Sequence, residues 1–233
     1  MRWPRSSARH CVADATRRPG ACAAPTPTCD LALFDFDGTI TTRETMPDFM
    51  RAAVRPGRQR LGWLLLAPLI IGYKARLVPG PVVRAAICMV GFRGVAAAEL
   101  ERHGAAFARD VLPGLLRPEA MARIAWHRAR GDRVLVVSGG LDAYLRPWAD
   151  THGLELLCST LEQRAGVLTG RYQGAQCVGA EKVRRVLANC PPAAGARVHA
   201  YGDTPEDAAM LSMAHERHYR VMPGADAAAN AVA

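Results

Sequence analysis

Four apolar residues, Leu31 to Phe34, run straight into two aspartates one residue apart in the segment LALFDFDGTITTRE. A short apolar run of this kind suits a strand covered on both faces. Alternate residues of a strand share a side, so Asp35 and Asp37 point the same way if the extended geometry persists. Two carboxylates held together repel, and burial penalises both. A turn needs only one capping aspartate. A pair at the carboxyl end of a buried strand points to a cation, to chemistry, or to both. Gly38 allows a backbone conformation that other residues resist, and Thr39 supplies a hydroxyl. An isolated Asp-Gly is most often a plain turn, so the pair gains a function only through partners elsewhere.

Partners occur downstream. GDRVLVVSGG (131–140) is a second apolar run, ending in Ser138-Gly139-Gly140. ARVHAYGDTPEDAAML (196–211) is a third, ending in Gly202-Asp203, with Asp207 four residues on. Between them CVGAEKVRRVL places Lys182 near the start of an amphipathic helical pattern. Strand, polar residues, then helix is the parallel α/β layout, in which ligands sit at the carboxyl ends of strands. Each residue also has a plainer reading. Ser138 suits a helix cap, Lys182 a solvated helix face, and Asp207 a first-turn acid favoured by the helix dipole.

Taken together, the motifs resemble those of the haloacid dehalogenase superfamily of phosphohydrolases, in its phosphoserine-phosphatase-like branch, subfamily IB. DFDGT matches the first motif, the serine of VVSGG the second, Lys182 the third and YGDTPEDAAML the fourth, in the family's order over residues 31–222. The resemblance implies a Rossmann-like, doubly wound parallel sheet with a small helical cap inserted after the first strand. It implies Asp35 as nucleophile and Asp37 as general acid and base. It also implies Mg²⁺ held by Asp35, Asp203, the Asp37 carbonyl and, directly or through water, Asp207. Ser138, Gly139 and Lys182 would hold the phosphoryl oxygens.

Domain boundaries follow: core from 30–42 and 116–233, and a helical cap at 43–115, too long for an ordinary strand–helix connection. The segment after Ser138, LCSTLEQRAGVLTGRYQGAQ, reads as a small hairpin on the rim. Residues 1–29 carry five arginines before residue 20 and no apolar stretch after them, which makes a poor secretory signal. They read as a disordered or non-native extension. Seven scattered cysteines form no CxxC pair and read as reduced. The net charge of +9 is admissible for a nucleic-acid binder, but there is no recognition motif or interleaved aromatic patch. An arginine- and alanine-rich proteome explains it without such a partner.

Within the cap, Leu61 to Tyr73 is an apolar run of 13 residues containing a proline, with Arg58 and Arg60 before it and Lys74 and Arg76 after it. It falls short of the ~20 residues of a spanning helix. A buried cap helix is the expected state. The alternative is an interfacial segment on anionic lipid, with the protein cytoplasmic or peripheral at the inner membrane face. Glu44 stands where phosphoserine phosphatases place an acid toward the substrate ammonium, and Arg84 is a candidate cap arginine. The branch also includes phosphatidylglycerophosphatase C.

The expected function is Mg²⁺-dependent hydrolysis of a phosphate monoester, either a small phosphorylated metabolite or a lipid phosphate. Phosphoserine phosphatase and a phosphatidylglycerophosphatase-like enzyme are the specific alternatives. A phosphotransferase on the same residues stays open, whereas a dehalogenase does not need Asp37. A non-catalytic membrane-surface module is the alternative outside enzymes; clustered carboxylates would burden a pure scaffold.

Overall fold

The computed structural model describes residues 29–223. The N-terminal extension expected at 1–29 lies outside the described residues, Cys29 excepted. Strand β1 (Leu31–Phe34) is followed by α1 (Met46–Ala53), α2 (Pro56–Lys74), α3 (Gly80–Phe92) and α4 (Ala97–Asp110). A 3₁₀ turn at Leu112–Leu115 and α5 (Pro118–Ala129) bring the chain back to β2 (Arg133–Leu141). Then come α6 (Asp142–His152), β3 (Glu155–Ser159), β4 (Leu161–Arg164), β5 (Val167–Tyr172), α7 (Ala180–Asn189), β6 (Val198–Gly202), α8 (Ala208–Ser212) and β7 (Glu216–Tyr219).

Five strands form a parallel sheet in the order β3-β2-β1-β6-β7. β1 is central, and all four of its residues are buried. Strand parity divides them between two cores. Ala32 and Phe34 join Val134, Val136, Ile124 and Trp148 on one face; Leu31 and Leu33 join Leu135, Val137, Val186 and Met210 on the other. α5 and α6 therefore cover one face and α7 and α8 the other. The chain progresses from β1 to one edge, then returns to β1's other side with β6. That reversal leaves a crevice at the carboxyl end of β1, where open α/β sheets bind ligands.

The four-helix insertion is anchored at both stems. Thr42 N–H donates to the Leu115 carbonyl at 2.8 Å, and Arg117 N–H to that of Ile40 at 2.8 Å. Phe49 of α1 packs against Phe107 and Tyr144, with ring centroids 5.3 and 4.7 Å apart, so the insertion shares the core of α6. Gly104 lets α4 press on α6: a Cβ there would collide with the Ala143 carbonyl. β4 and β5 pair antiparallel as a hairpin. This hairpin bonds to the α3–α4 link through Gly94 N–H to Leu168 O at 2.8 Å and Leu168 N–H to Val95 O at 2.8 Å.

The expectation of a buried helix over Leu61–Tyr73 is not met. Gly62 is the one buried residue of α2, while Leu64 is 78% exposed and Trp63 66%. The physical reason is that α2 packs chiefly on α3, and one helical neighbour covers only one face. Apolar residues placed all round the helix exceed what that contact hides. Among the described residues no helix is long and apolar enough to cross a membrane.

Candidate active site

Asp35 stands one residue beyond β1, its N–H donating to the Tyr201 carbonyl of β6 at 2.9 Å. It is 6% exposed. Lys182, from the first turn of α7, is 2% exposed and points back at it. The Lys182 ammonium donates to Asp35 Oδ1 at 2.5 Å and to Asp207 Oδ1 at 2.6 Å. Burial opposes the charged form of Lys182, but the two carboxylates outweigh it and hold the ammonium above its ordinary range. Burial pushes Asp35 up to about 8; Lys182 pulls against this and the nearby Asp207 adds to it.

Asp37 has different surroundings. Its Oδ1 accepts from Thr45 N–H at 2.7 Å and from the Thr45 hydroxyl at 2.6 Å. Thr45 Oγ1 also lies 3.1 Å from the Tyr144 hydroxyl. Burial raises Asp37 to about 6, against the lowering effect of the two Thr45 hydrogen bonds. Between the aspartates and β6 the chain turns at Gly38, whose φ of +78° suits glycine. A Cβ at this position would also collide with the Asp203 carboxylate.

Asp203 and Asp207 follow β6. Asp207 Oδ2 accepts from Asp203 N–H at 3.2 Å, Thr204 N–H at 3.0 Å and the Thr204 hydroxyl at 3.0 Å. Its other oxygen holds Lys182, so Asp207 fixes the loop and the lysine together. Thr39 donates to Asp203 Oδ1 at 3.3 Å. Burial, then the charge of Asp207, raises the Asp203 carboxyl above its ordinary value.

One oxygen from each of Asp35, Asp203 and Asp207 falls within 4.8 Å of the others. Asp37 adds a fourth carboxylate to the same crevice, while the Lys182 ammonium contacts Asp35 and Asp207. Burial raises the proton affinity of Asp35, Asp37 and Asp203, and a hard divalent cation fits such oxygen donors.

Ser138 and Gly139 lie inside β2, which runs on to Leu141 beyond the apolar run. The residue before α6 is Leu141, with no side-chain cap, so Ser138 is not capping that helix. Its buried Oγ instead accepts from Gly140 N–H at 3.0 Å. Asp35, Asp37, Ser138, Gly139, Lys182, Asp203 and Asp207 thus line one crevice of about 460 Å³. Glu44 is exposed at this crevice and Arg84 borders it from α3. Arg84 is already engaged: its Nη2 donates to both Glu206 oxygens at 2.8 Å, and its Nε to Gln176 at 3.2 Å.

Sequence reasoning did not find Thr45, Tyr144, Glu206 or Arg117. Thr45 lies in the motif-flanking TTRET, but its bond to Asp37 depends on how the chain turns into α1. The Arg84–Glu206 pair joins residues 122 apart, which no local pattern announces.

A family model described as haloacid dehalogenase-like hydrolase matches residues 32–212. Protein CicA of Caulobacter vibrioides is 34% identical over 196 residues, covering 83% of this chain and 87% of that protein. A crystal structure of a protein with unknown function from Bordetella pertussis Tohama I is 25% identical, with a TM-score of 0.69 over 88% of this chain and 96% of its own. Phosphoserine phosphatase from T. onnurineus, 19% identical, shares the fold with a TM-score of 0.55 over 84% and 85% of the two chains.

Proposed function

The chain belongs to the haloacid dehalogenase-like hydrolases, and on that premise we propose that it is a Mg²⁺-dependent phosphatase that hydrolyses phosphate monoesters through a phosphoryl group carried on Asp35. The observation that carries this reading is the division of labour between two carboxylates two residues apart. Asp35 faces the crevice on a lysine, while Asp37 is held by two donors from Thr45. Paired carboxyl groups in unlike surroundings suit unlike roles.

Lys182 holds Asp35 by Oδ1, leaving Oδ2 to attack phosphorus. The new Asp35–phosphorus bond forms as the bond to the leaving alcohol breaks, and Asp37 hands its proton to that oxygen. Asp37, now a carboxylate, takes a proton from water. The water oxygen attacks phosphorus, phosphate leaves, and Asp35 is regenerated. An ammonium has three protons; two of those on Lys182 are committed to Asp35 and Asp207, and the third is directed to a phosphoryl oxygen. Ser138 and the amide of Gly139 supply further donors. When bound, Mg²⁺ supplies charge neutralisation from a site made by Asp35, Asp203, the Asp37 carbonyl and Asp207. The helical insertion serves as a cap that excludes water and meets the leaving group.

The substrate is a small phosphorylated metabolite or a lipid phosphate. For phosphoserine, Glu44 at the crevice is the favourable feature. The engagement of Arg84 by Glu206 weighs against it, because a substrate carboxylate would have to displace a bidentate partner. The direct test is hydrolysis of p-nitrophenyl phosphate with Mg²⁺ and after EDTA dialysis. Turnover that needs Mg²⁺ supports the proposal; a folded protein inert under both conditions refutes it.

A further inference from the structure

A second cavity, of about 320 Å³, opens beside the catalytic crevice. Glu44, Met46, Tyr73 and Arg84 line both, so the two spaces adjoin. Beyond those residues the wall is mostly apolar, with Met50, Trp63, Leu66, Ile70, Val83 and Ile87, and Arg51, Arg58, Gln59 and Lys74 are its polar members. The apolar part of this wall suits a hydrocarbon chain, whose burial is favoured in proportion to its length.

The helix that walls this cavity is apolar on its other side as well. Leu61, Leu64, Leu65, Pro68 and Ile71 recur at helical spacing on the outer face of α2, and all are exposed. A helix apolar all round belongs in a core or in lipid, yet this one is neither covered nor long and apolar enough to cross a membrane. Between Asp48 and Glu99 the chain has eight basic residues and no acidic one. Arg55, Arg60, Lys74 and Arg76 are exposed around α2. A second copy is a poor occupant, because pairing two such faces brings like charges together with no acid from this segment to offset them. Anionic headgroups complement the basic residues, and acyl chains complement the apolar face.

We propose that the active site takes a phosphate monoester with an apolar tail, drawn from an anionic lipid surface on which α2 lies. The phosphate meets Asp35 and the tail enters the cavity behind α2. The inference rests on the phosphatase reading of the crevice, and two of its measurements do not require turnover.

The first measurement is the affinity of non-hydrolysable n-alkyl phosphonates, ethyl to octyl, by calorimetry in Mg²⁺. Kd should fall about fourfold per added methylene until the cavity is filled. Leu66→Gln and Ile70→Gln should flatten that dependence; the slope, unlike the absolute affinity, isolates the tail. A flat series in the wild type overturns the assignment, whether or not p-nitrophenyl phosphate is hydrolysed. Loss of p-nitrophenyl phosphate turnover with a steep series refutes the phosphatase reading and leaves the apolar site standing. The second measurement is co-sedimentation with phosphatidylcholine vesicles containing increasing phosphatidylglycerol. Binding should rise with the anionic fraction, fall with salt, and be lost in Leu64→Gln/Leu65→Gln while that variant still turns over p-nitrophenyl phosphate. Absence of vesicle binding at low salt, or a salt-stable dimer by light scattering, rejects the bilayer as the tail's source.

Discussion

Lys182 lies 2.5 Å from Asp35 Oδ1 although the two residues are 147 apart in the chain, and the same ammonium reaches Asp207 Oδ1 at 2.6 Å. All three side chains are buried. Removing one partner of a buried ionic pair leaves uncompensated charge, which costs about 3 kcal/mol or more. Lys182→Met should therefore lose about that much stability at pH 8 in urea denaturation. The loss should shrink toward pH 5 as the stranded carboxyls take up protons. A penalty independent of pH would mean that the lysine acts through its packing alone.

Asp35 raised to about 8 makes the metal-free protein sensitive to pH. Between about pH 4, the ordinary aspartate value, and pH 8, the native state keeps a proton that the unfolded chain has lost. Stability from this group is present in full below that window and declines as pH rises through it. In EDTA, wild type should lose melting temperature relative to Asp35→Asn, whose amide cannot ionise, between pH 5 and pH 8. A wild type that gains on the variant with rising pH has the opposite sign and contradicts the site electrostatics.

The roles of the two acids are separable by trapping. Asp35→Asn should form no acid-stable phosphoenzyme and lose at least about a thousandfold in turnover. Asp37→Asn should still become phosphorylated by p-nitrophenyl phosphate, whose leaving group needs little protonation, but should release phosphate about 10² to 10⁴ times more slowly. A phosphoenzyme on Asp35→Asn places the nucleophile elsewhere.

Thr45 tunes Asp37 by a hydroxyl 2.6 Å away and a backbone N–H at 2.7 Å. Both bonds lower its proton affinity against burial. Thr45→Val keeps the N–H and removes the hydroxyl, so the alkaline limb of kcat/KM for an alkyl phosphate should move upward from a starting point near 6. Phosphate monoesters themselves titrate near 6, so the quantity to read is the displacement between variant and wild type. Superimposed limbs would separate Thr45 from proton transfer.

In the proposed Mg²⁺ site, Asp203→Asn would remove a charged oxygen ligand while keeping the side chain's size. The Mg²⁺ concentration for half-maximal activity should rise at least tenfold, and Ca²⁺, with its larger and looser shell, should support little turnover. Activity of the wild type that survives exhaustive EDTA dialysis would defeat the metal assignment.

The placement of Asp35, Asp37, Ser138, Asp203 and Asp207 was legible because each follows an apolar run, and parallel strands deliver their carboxyl ends to one edge; Lys182 was placed only by the family resemblance. Lys182 shows where local pattern misleads: EKVRR reads as a solvated face, yet Lys182, the third residue of that helix, is buried. β7 carries no apolar run, since Glu216–Tyr219 forms an edge strand with alternating exposure, so pattern alone passes over it. The exposure of α2 was illegible for a different reason. Periodicity reports which faces of a helix are apolar, but when all are, it cannot tell which one the fold covers.

Thr45, the residue that orients Asp37, is also the one immediately before α1. A chain trimmed of its helical insertion would therefore not become an unselective hydrolase with an open door. It would lose both donors to Asp37 together with the helices, and fall silent. On the proposed roles of the insertion and of Asp37, substrate choice and proton transfer would be inherited as one unit, so swapping insertions between relatives should succeed only where the junction carries this threonine along.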